Sequence, residues 1–306
     1  MKKIIFTVLA SATAFAAMAQ TNIWCWQNGV AVKKAATDSV TLAAPTSLGD
    51  ILVWKDGEST KMTAADSITF MSDVTDIYHD GAEAGYNYVD LGLTSGTRWA
   101  TANVGAKTPQ DYGNYYAWGE VTTKETYNWS TYKYGSALNK LTKYCNNSLY
   151  GKDGFTDSKT TLDLEDDAAY VNWGGKWRMP TTAQQDELRN ECYWVWTDSY
   201  NGSDVKGYIV YKVESLDDKG VVISSGKTPS SSYTLSDAHI FLPVAGYCVN
   251  GVLYDAGSRG DYWFSSLYAG GPYHAWFVRF NSDGVDYCYY GDRYHGQSVR
   301  AVCPAE

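Results

Sequence analysis

Basic residues are scarce in this chain. Lys and Arg number 25 against 34 Asp and Glu, a net charge of −9 over 306 residues, and no cluster of Lys and Arg follows the amino terminus. Phosphate neutralisation needs such clusters, so nucleic acid is excluded as a partner. Histidine is rarer still: His79, His239, His274 and His295 show no metal-type spacing to one another or to cysteine, and no Cys-x-x-Cys pair occurs. That argues against a structural zinc site. Gly-x-Ser-x-Gly, His-Glu-x-x-His and the full phosphate-binding Gly-x-x-x-x-Gly-Lys-Ser/Thr motif are missing too, so the best-marked hydrolytic and nucleotide-dependent chemistries have no foothold. Downstream of the amino terminus no apolar run approaches the roughly 20 residues of a membrane span, and no membrane insertion is expected.

Aromatic residues, by contrast, are abundant, with 26 Tyr and 12 Trp. They suit β-rich packing with hydrogen-bonded ring edges, or an exposed binding face. Met1-Lys-Lys, the apolar run Ile4 to Ala17 and Ala17-Met-Ala19 have the three parts of a secretory signal peptide, with cleavage expected after Ala19. The mature chain is expected to be secreted, periplasmic or at the cell surface. Cys25, Cys145, Cys192, Cys248, Cys288 and Cys303 then lie where disulfides persist, and the sequence leaves their pairing open. The chain stops three residues after Cys303, so retention at a surface is expected to need an anchoring partner.

Four regions follow: a signal peptide over 1–19, a small β module over 20–71, a linker over 72–87 and the body over 88–306. Residues 22–42 and 50–70 form an ungapped repeat offset by 28 positions, each copy a strand, an Asn-Gly or Asp-Gly turn and a second strand. Met71 to Tyr86 is rich in Asp, Gly, Ala and Glu, as linkers are. In the body, Val89 to Ala100 reads as strand, turn and strand. A helix is predicted from Glu165 to Asn172, stopped by Gly174-Gly175, and another after Pro180, where Thr181 with Gln184 or Thr182 with Gln185 fits a capping box. Short strands are predicted at Gly207 to Val213, Val221 to Ser224, Ile240 to Pro243, Tyr262 to Ser265, Ala275 to Phe280 and Ser298 to Val302. The class is α+β, with few helices and long ordered loops.

Tyr88-Val-Asp-Leu-Gly-Leu-Thr-Ser-Gly-Thr-Arg-Trp-Ala-Thr-Ala-Asn-Val-Gly105 resembles the opening of the Fibrobacter succinogenes major paralogous domain, a family common in secreted proteins of gut bacteria. Tyr115-Tyr-Ala-Trp-Gly-Glu120, Glu165-Asp-Asp-Ala-Ala169, Trp173-Gly-Gly-Lys-Trp-Arg-Met-Pro-Thr181, Ile240-Phe-Leu-Pro-Val-Ala-Gly246, Tyr262-Trp-Phe-Ser-Ser266 and Ser298-Val-Arg-Ala-Val302 follow in the family's order. The resemblance implies a C-type-lectin-like fold. Enzymes, sugar binders and protein binders all use that fold, so function must come from the site.

Asp286-Tyr-Cys-Tyr-Tyr-Gly-Asp-Arg-Tyr-His295 is too polar for a core and too aromatic for a plain linker. Tyr offers large contact area at low entropy cost, which suits recognition of an extracellular protein or glycan. The expected anchors are Tyr268, Tyr273, Tyr287, Tyr289, Tyr290 and Tyr294, with His274, Asp286, Asp292 and His295 supplying directional contacts. The segment also resembles the variable region of proteins diversified by retroelements, whose NNY codons cannot encode Lys, Glu, Gln, Met or Trp. From Phe264 to His295 only Trp276 breaks that rule. Asp163, Glu165, Asp166 and Asp167 are weak candidates for calcium. The reading without a cofactor makes them helix-start acids favoured by the dipole. Trp173, Trp177, Trp194 and Trp196 are assigned to packing. The competing functions are an enzyme using the same cleft, whether carbohydrate-active or of the formylglycine-generating type, and a structural subunit of a surface appendage.

Overall fold

The computed structural model describes residues 78–229 and 232–305 and, within residues 1–77, the backbone of the strands. The chain divides into two compact units, Met1–Ile77 and Tyr78–Glu306.

In the first unit the strands are β1 (Phe15–Ala16), β2 (Asn22–Gln27), β3 (Val30–Lys34), β4 (Ser39–Leu42), β5 (Ile51–Lys55), β6 (Glu58–Met62) and β7 (Ser67–Met71). Gln27 faces Val30 and Lys55 faces Glu58, which is the spacing of a two-residue hairpin in each repeat. Each copy ends in a third strand that pairs with the other copy: β4 lies on β5, and β7 lies on β2. The repeats thus close on each other by exchanging strands. β1 falls inside the segment read as a signal peptide and pairs with β4.

The second unit is α+β, mostly strand. Its first sheet has the order β20 (Arg300–Cys303), β10 (Arg98–Asn103), β9 (Tyr86–Val89), β8 (Gly81–Glu83). The β8–β9 hairpin turns through Ala84 and Gly85, both at positive φ, and it corrects the linker reading. Residues 81–87 are an edge of the body's sheet, and their small and acidic residues suit a solvated edge. A second sheet has the order β13 (Val222–Ile223), β11 (Cys192–Thr197), β12 (Gly207–Lys212), β14 (His239–Pro243). β15 (Tyr247–Val249) and β16 (Val252–Tyr254) form a hairpin, and β17 (Arg259–Leu267), β18 (His274–Asn281) and β19 (Gly284–Asp292) form a third sheet in that order.

The two predicted helices are present. α1 (Ala168–Trp173) starts later than expected because Leu164–Asp166 make a 3-10 turn and Asp167 is the N-cap, accepting from the N–H groups of Ala169 and Tyr170. Gly174, at φ 73°, ends it. α2 (Thr182–Glu191) starts on the Thr181–Gln184 capping box.

β18 explains why its sequence reads as a nearly continuous apolar run. Both its faces are covered: Ala275 and Phe277 enter one core with Trp118, Trp177 and Trp263, while Val278 and Phe280 enter another with Trp99, Trp194 and Tyr208. Sequence blocks far apart meet here. Trp263 Nε1 donates to the Tyr116 carbonyl at 2.9 Å and Trp118 Nε1 to that of Phe264 at 2.8 Å. Trp173, Trp177, Trp194 and Trp196 are all buried, as assigned. The expected disulfides find no pair among the described cysteines: Cys145, Cys192, Cys248, Cys288 and Cys303 are free thiols.

Candidate binding surface

The segment Asp286 to His295 is largely strand, not loop. β19 pairs with β18 from Gly284 opposite Asn281 to Asp292 opposite His274, with an irregularity opposite Val278 that Tyr287 and Cys288 occupy. A bulge there adds one residue, so two consecutive side chains escape strict alternation. Tyr289 and Tyr290 emerge beyond it, each 43% exposed.

Tyr290 stacks on Tyr268 at 4.1 Å with 2° between the planes, and both rings meet Trp276 edge-on. Tyr273 sits on His274 at 4.1 Å and leans on Tyr150. Tyr289 holds the Arg279 guanidinium over its ring at 4.0 Å. Asp292 joins this group to a second one. Its oxygens lie 3.3 Å from His274 Nε2 and 3.9 Å from His295 Nε2. Burial alone would raise the Asp292 carboxyl, but the bond from His274 and the neighbouring histidines hold it below the ordinary range. Burial drives His295 down, and it pushes Tyr294 up to about 12 together with Asp292.

In the second group, Tyr294 packs on Trp129 at 5.0 Å, and His295 leans on Tyr247, which stacks on Tyr254 at 5.5 Å. Cys248 and Gly296 exchange backbone hydrogen bonds, which fixes the β15–β16 hairpin beside the end of β19. All three residues of β16 are exposed.

The structure therefore brings together Tyr268, Tyr273, His274, Tyr289, Tyr290, Asp292, Tyr294 and His295. Tyr287 is the exception and is corrected: it meets Trp194 edge-on at 5.9 Å, lies under Arg189 at 4.3 Å and packs against the core. Burial raises its hydroxyl to about 12. Tyr287→Ala is expected to cost about 3 kcal/mol, the usual loss for a core aromatic, read as a lower urea midpoint. A loss below about 1 kcal/mol would return Tyr287 to the surface. Asp286 is exposed at the β18–β19 turn end, opposite Arg279 in register, with no ion pair between them. Arg279, Arg259, Tyr247, Tyr254, Tyr150 and Trp129 escaped the sequence reading. For the hairpin the signal was present: Asn250-Gly251 lies between apolar triplets, with φ of 51° and 79°.

The acidic candidates split. Asp167 is committed to capping α1 and to the Met179 N–H, so its carboxylate is structural. Asp163, Glu165 and Asp166 do converge, but around an ammonium: Lys143 Nζ lies 2.9, 3.0 and 2.6 Å from them. Asp166 also accepts from Tyr134 and Tyr144. Calcium binding would have to displace that lysine. Burial alone would raise the Asp166 carboxyl, but the bonds from Lys143, Tyr134 and Tyr144 win and lower it to about 2. A depressed folded pKa gives stability that is present above the unfolded value near 4 and lost as pH falls toward 2. Wild type is therefore expected to melt higher than Asp166→Asn at pH 6, with the gap closing between pH 4 and pH 2. A gap independent of pH would contradict this.

Two hollows stand out among the described residues. One, of about 10 Å³, is enclosed beside Trp99 and Arg300, and the other, of about 150 Å³, lies between Tyr86, Thr101, Lys107 and Trp173. Both fall short of the roughly 300 Å³ of a typical small-molecule site, and neither touches the aromatic surface. No family model, curated protein or solved structure matches the chain.

Proposed function

We propose that this is a secreted or cell-surface ligand-binding protein of adhesin or receptor type. Its large unit is a C-type-lectin-like major paralogous domain, and its aromatic surface on β18, β19 and the β15–β16 hairpin recognises a protein or glycan. The observation that carries the reading is the packing of the exposed rings on one another. Tyr268, Tyr290, Tyr273 and His274 are held by mutual contacts, so the surface is ordered before any ligand arrives and little entropy remains to be lost on binding. A protein ligand fits better than a glycan. Tyr290 spends one ring face on Tyr268, and Tyr289 spends one on Arg279, which leaves at most a single face on each ring for stacking a sugar.

Diversification by a retroelement accounts for the division of labour along the segment. Tyr289 and Tyr290 are exposed, whereas Arg293, Gln297, Ser298 and Arg300 are buried at 0–1% exposure. Variation would thus fall on the surface and constancy on the core. Sequencing the DNA beside the gene tests this. A reverse transcriptase with a near-copy of the 3′ end, differing only where the copy has adenine, is expected; their absence would leave a fixed binding face.

A further inference from the structure

We propose that Arg279, beside Tyr289, is a ready-made receptor for a carboxylate of the ligand; this rests on the reading of the aromatic surface as a binding face. Asp261 is fully buried and shared by two arginines. Its Oδ2 accepts from Arg259 Nε at 3.2 Å and Nη2 at 3.0 Å, and its Oδ1 from Arg279 Nε at 3.1 Å. Arg259 is then saturated, because its Nη1 lies 2.7 Å from Asp255. Arg279 is not. Its Nη1 and Nη2 have no hydrogen-bond partner among the described residues, its side chain is 26% exposed, and its plane is supported by Tyr289 at 4.0 Å and Phe277 at 5.2 Å.

A guanidinium pinned through Nε and stacked on a ring presents its two outer nitrogens as a fixed fork, the geometry that matches a planar carboxylate with two parallel hydrogen bonds. Little rotamer entropy is left to lose. Phosphate fits less well. Among the described residues one guanidinium is free here, and Asp286 faces it across the ladder, so a dianion would be offset only in part. The fork is also open to Asp286 of this chain, which faces Arg279 across the β18–β19 ladder without pairing to it. Asp286 is therefore a competitor that lowers affinity for an acidic ligand. With one face of each ring already occupied, the carboxylate expected here is an Asp or Glu side chain of a protein partner.

The test is NMR of ¹⁵N-labelled arginine side chains in the full mature chain, titrated with sodium acetate, inorganic phosphate or sodium chloride at equal ionic strength, with Arg279→Lys used to assign the Arg279 signals. Saturable movement of the Arg279 signals with acetate alone is expected. Asp286→Asn should tighten acetate binding about threefold, the scale of one exposed charge. Arg279 signals that ignore acetate, respond equally to chloride or prefer phosphate would overturn the assignment, as would an Asp286→Asn variant that binds acetate no better. The parent reading fails separately. If acetate binds while Tyr289→Ala, Tyr290→Ala leaves binding to protein and glycan arrays unchanged, the fork stands and the aromatic surface does not. Glucuronate binding tighter than N-acetylglutamate amide would replace the protein carboxylate with a sugar one.

Discussion

Replacing Tyr289 and Tyr290 together by Ala is expected to weaken ligand capture at least about 100-fold, the scale of two central aromatic anchors, while the protein stays folded. Both rings are more than two-fifths exposed, so their removal opens no core cavity. What is lost from the fold is the Tyr268–Tyr290 stack, about 0.5–1.5 kcal/mol, and the Arg279–Tyr289 contact, about 0.5–1 kcal/mol. For a unit of this size that lowers the melting temperature by about 3–8 °C. Binding of wild type and variant to protein and glycan arrays, with melting curves on the same samples, checks both halves. A collapse in stability would show the rings to be core. Unchanged array signals would place recognition elsewhere.

The second large effect is on stability. Arg293→Leu is expected to cost about 3–5 kcal/mol, as removing a buried charge held by several hydrogen bonds does. Arg293 is 0% exposed. It donates to the Tyr132 hydroxyl at 2.9 Å and to the carbonyls of Tyr144, Pro272 and Lys143 at 3.0, 2.8 and 3.0 Å. Leucine would fill much of the volume and leave those acceptors dry and unpaired. Arg293→Lys should recover only part of the loss, because one ammonium cannot reach all four. Urea denaturation measures this, and a cost below about 1 kcal/mol would contradict it. The consequence reaches the surface: Arg293 ties the end of β19 to the Pro272 turn that carries Tyr273 and to the chain bearing Lys143.

These two effects mark where the sequence could be read and where it could not. The hairpins of the amino-terminal repeats, the Thr181 capping box and the apolar run of β18 were legible because their signals are local. β19 carries no strand signal in the sequence, since the bulge at Tyr287 and Cys288 breaks the alternation by which a half-buried strand is recognised. The same break hid which tyrosines face the core, so Tyr287 was grouped with Tyr289. Residues 81–87 read as linker, because an edge strand of Gly, Ala and Glu carries no apolar pattern and is defined by backbone pairing alone. Arg279 was missed for another reason. Its meaning depends on Asp261, 18 residues earlier, and the β17–β18 register alone brings the two together.

The most direct measurement is hydroxyl-radical footprinting of the protein with and without a ligand taken from the array screen. Protection of Tyr254, Tyr289 and Tyr290, with Leu149 and Leu216 unchanged although they are the most exposed leucines among the described residues, is the predicted result. Protection at Leu149 or Leu216 with the three tyrosines still reactive would contradict the account.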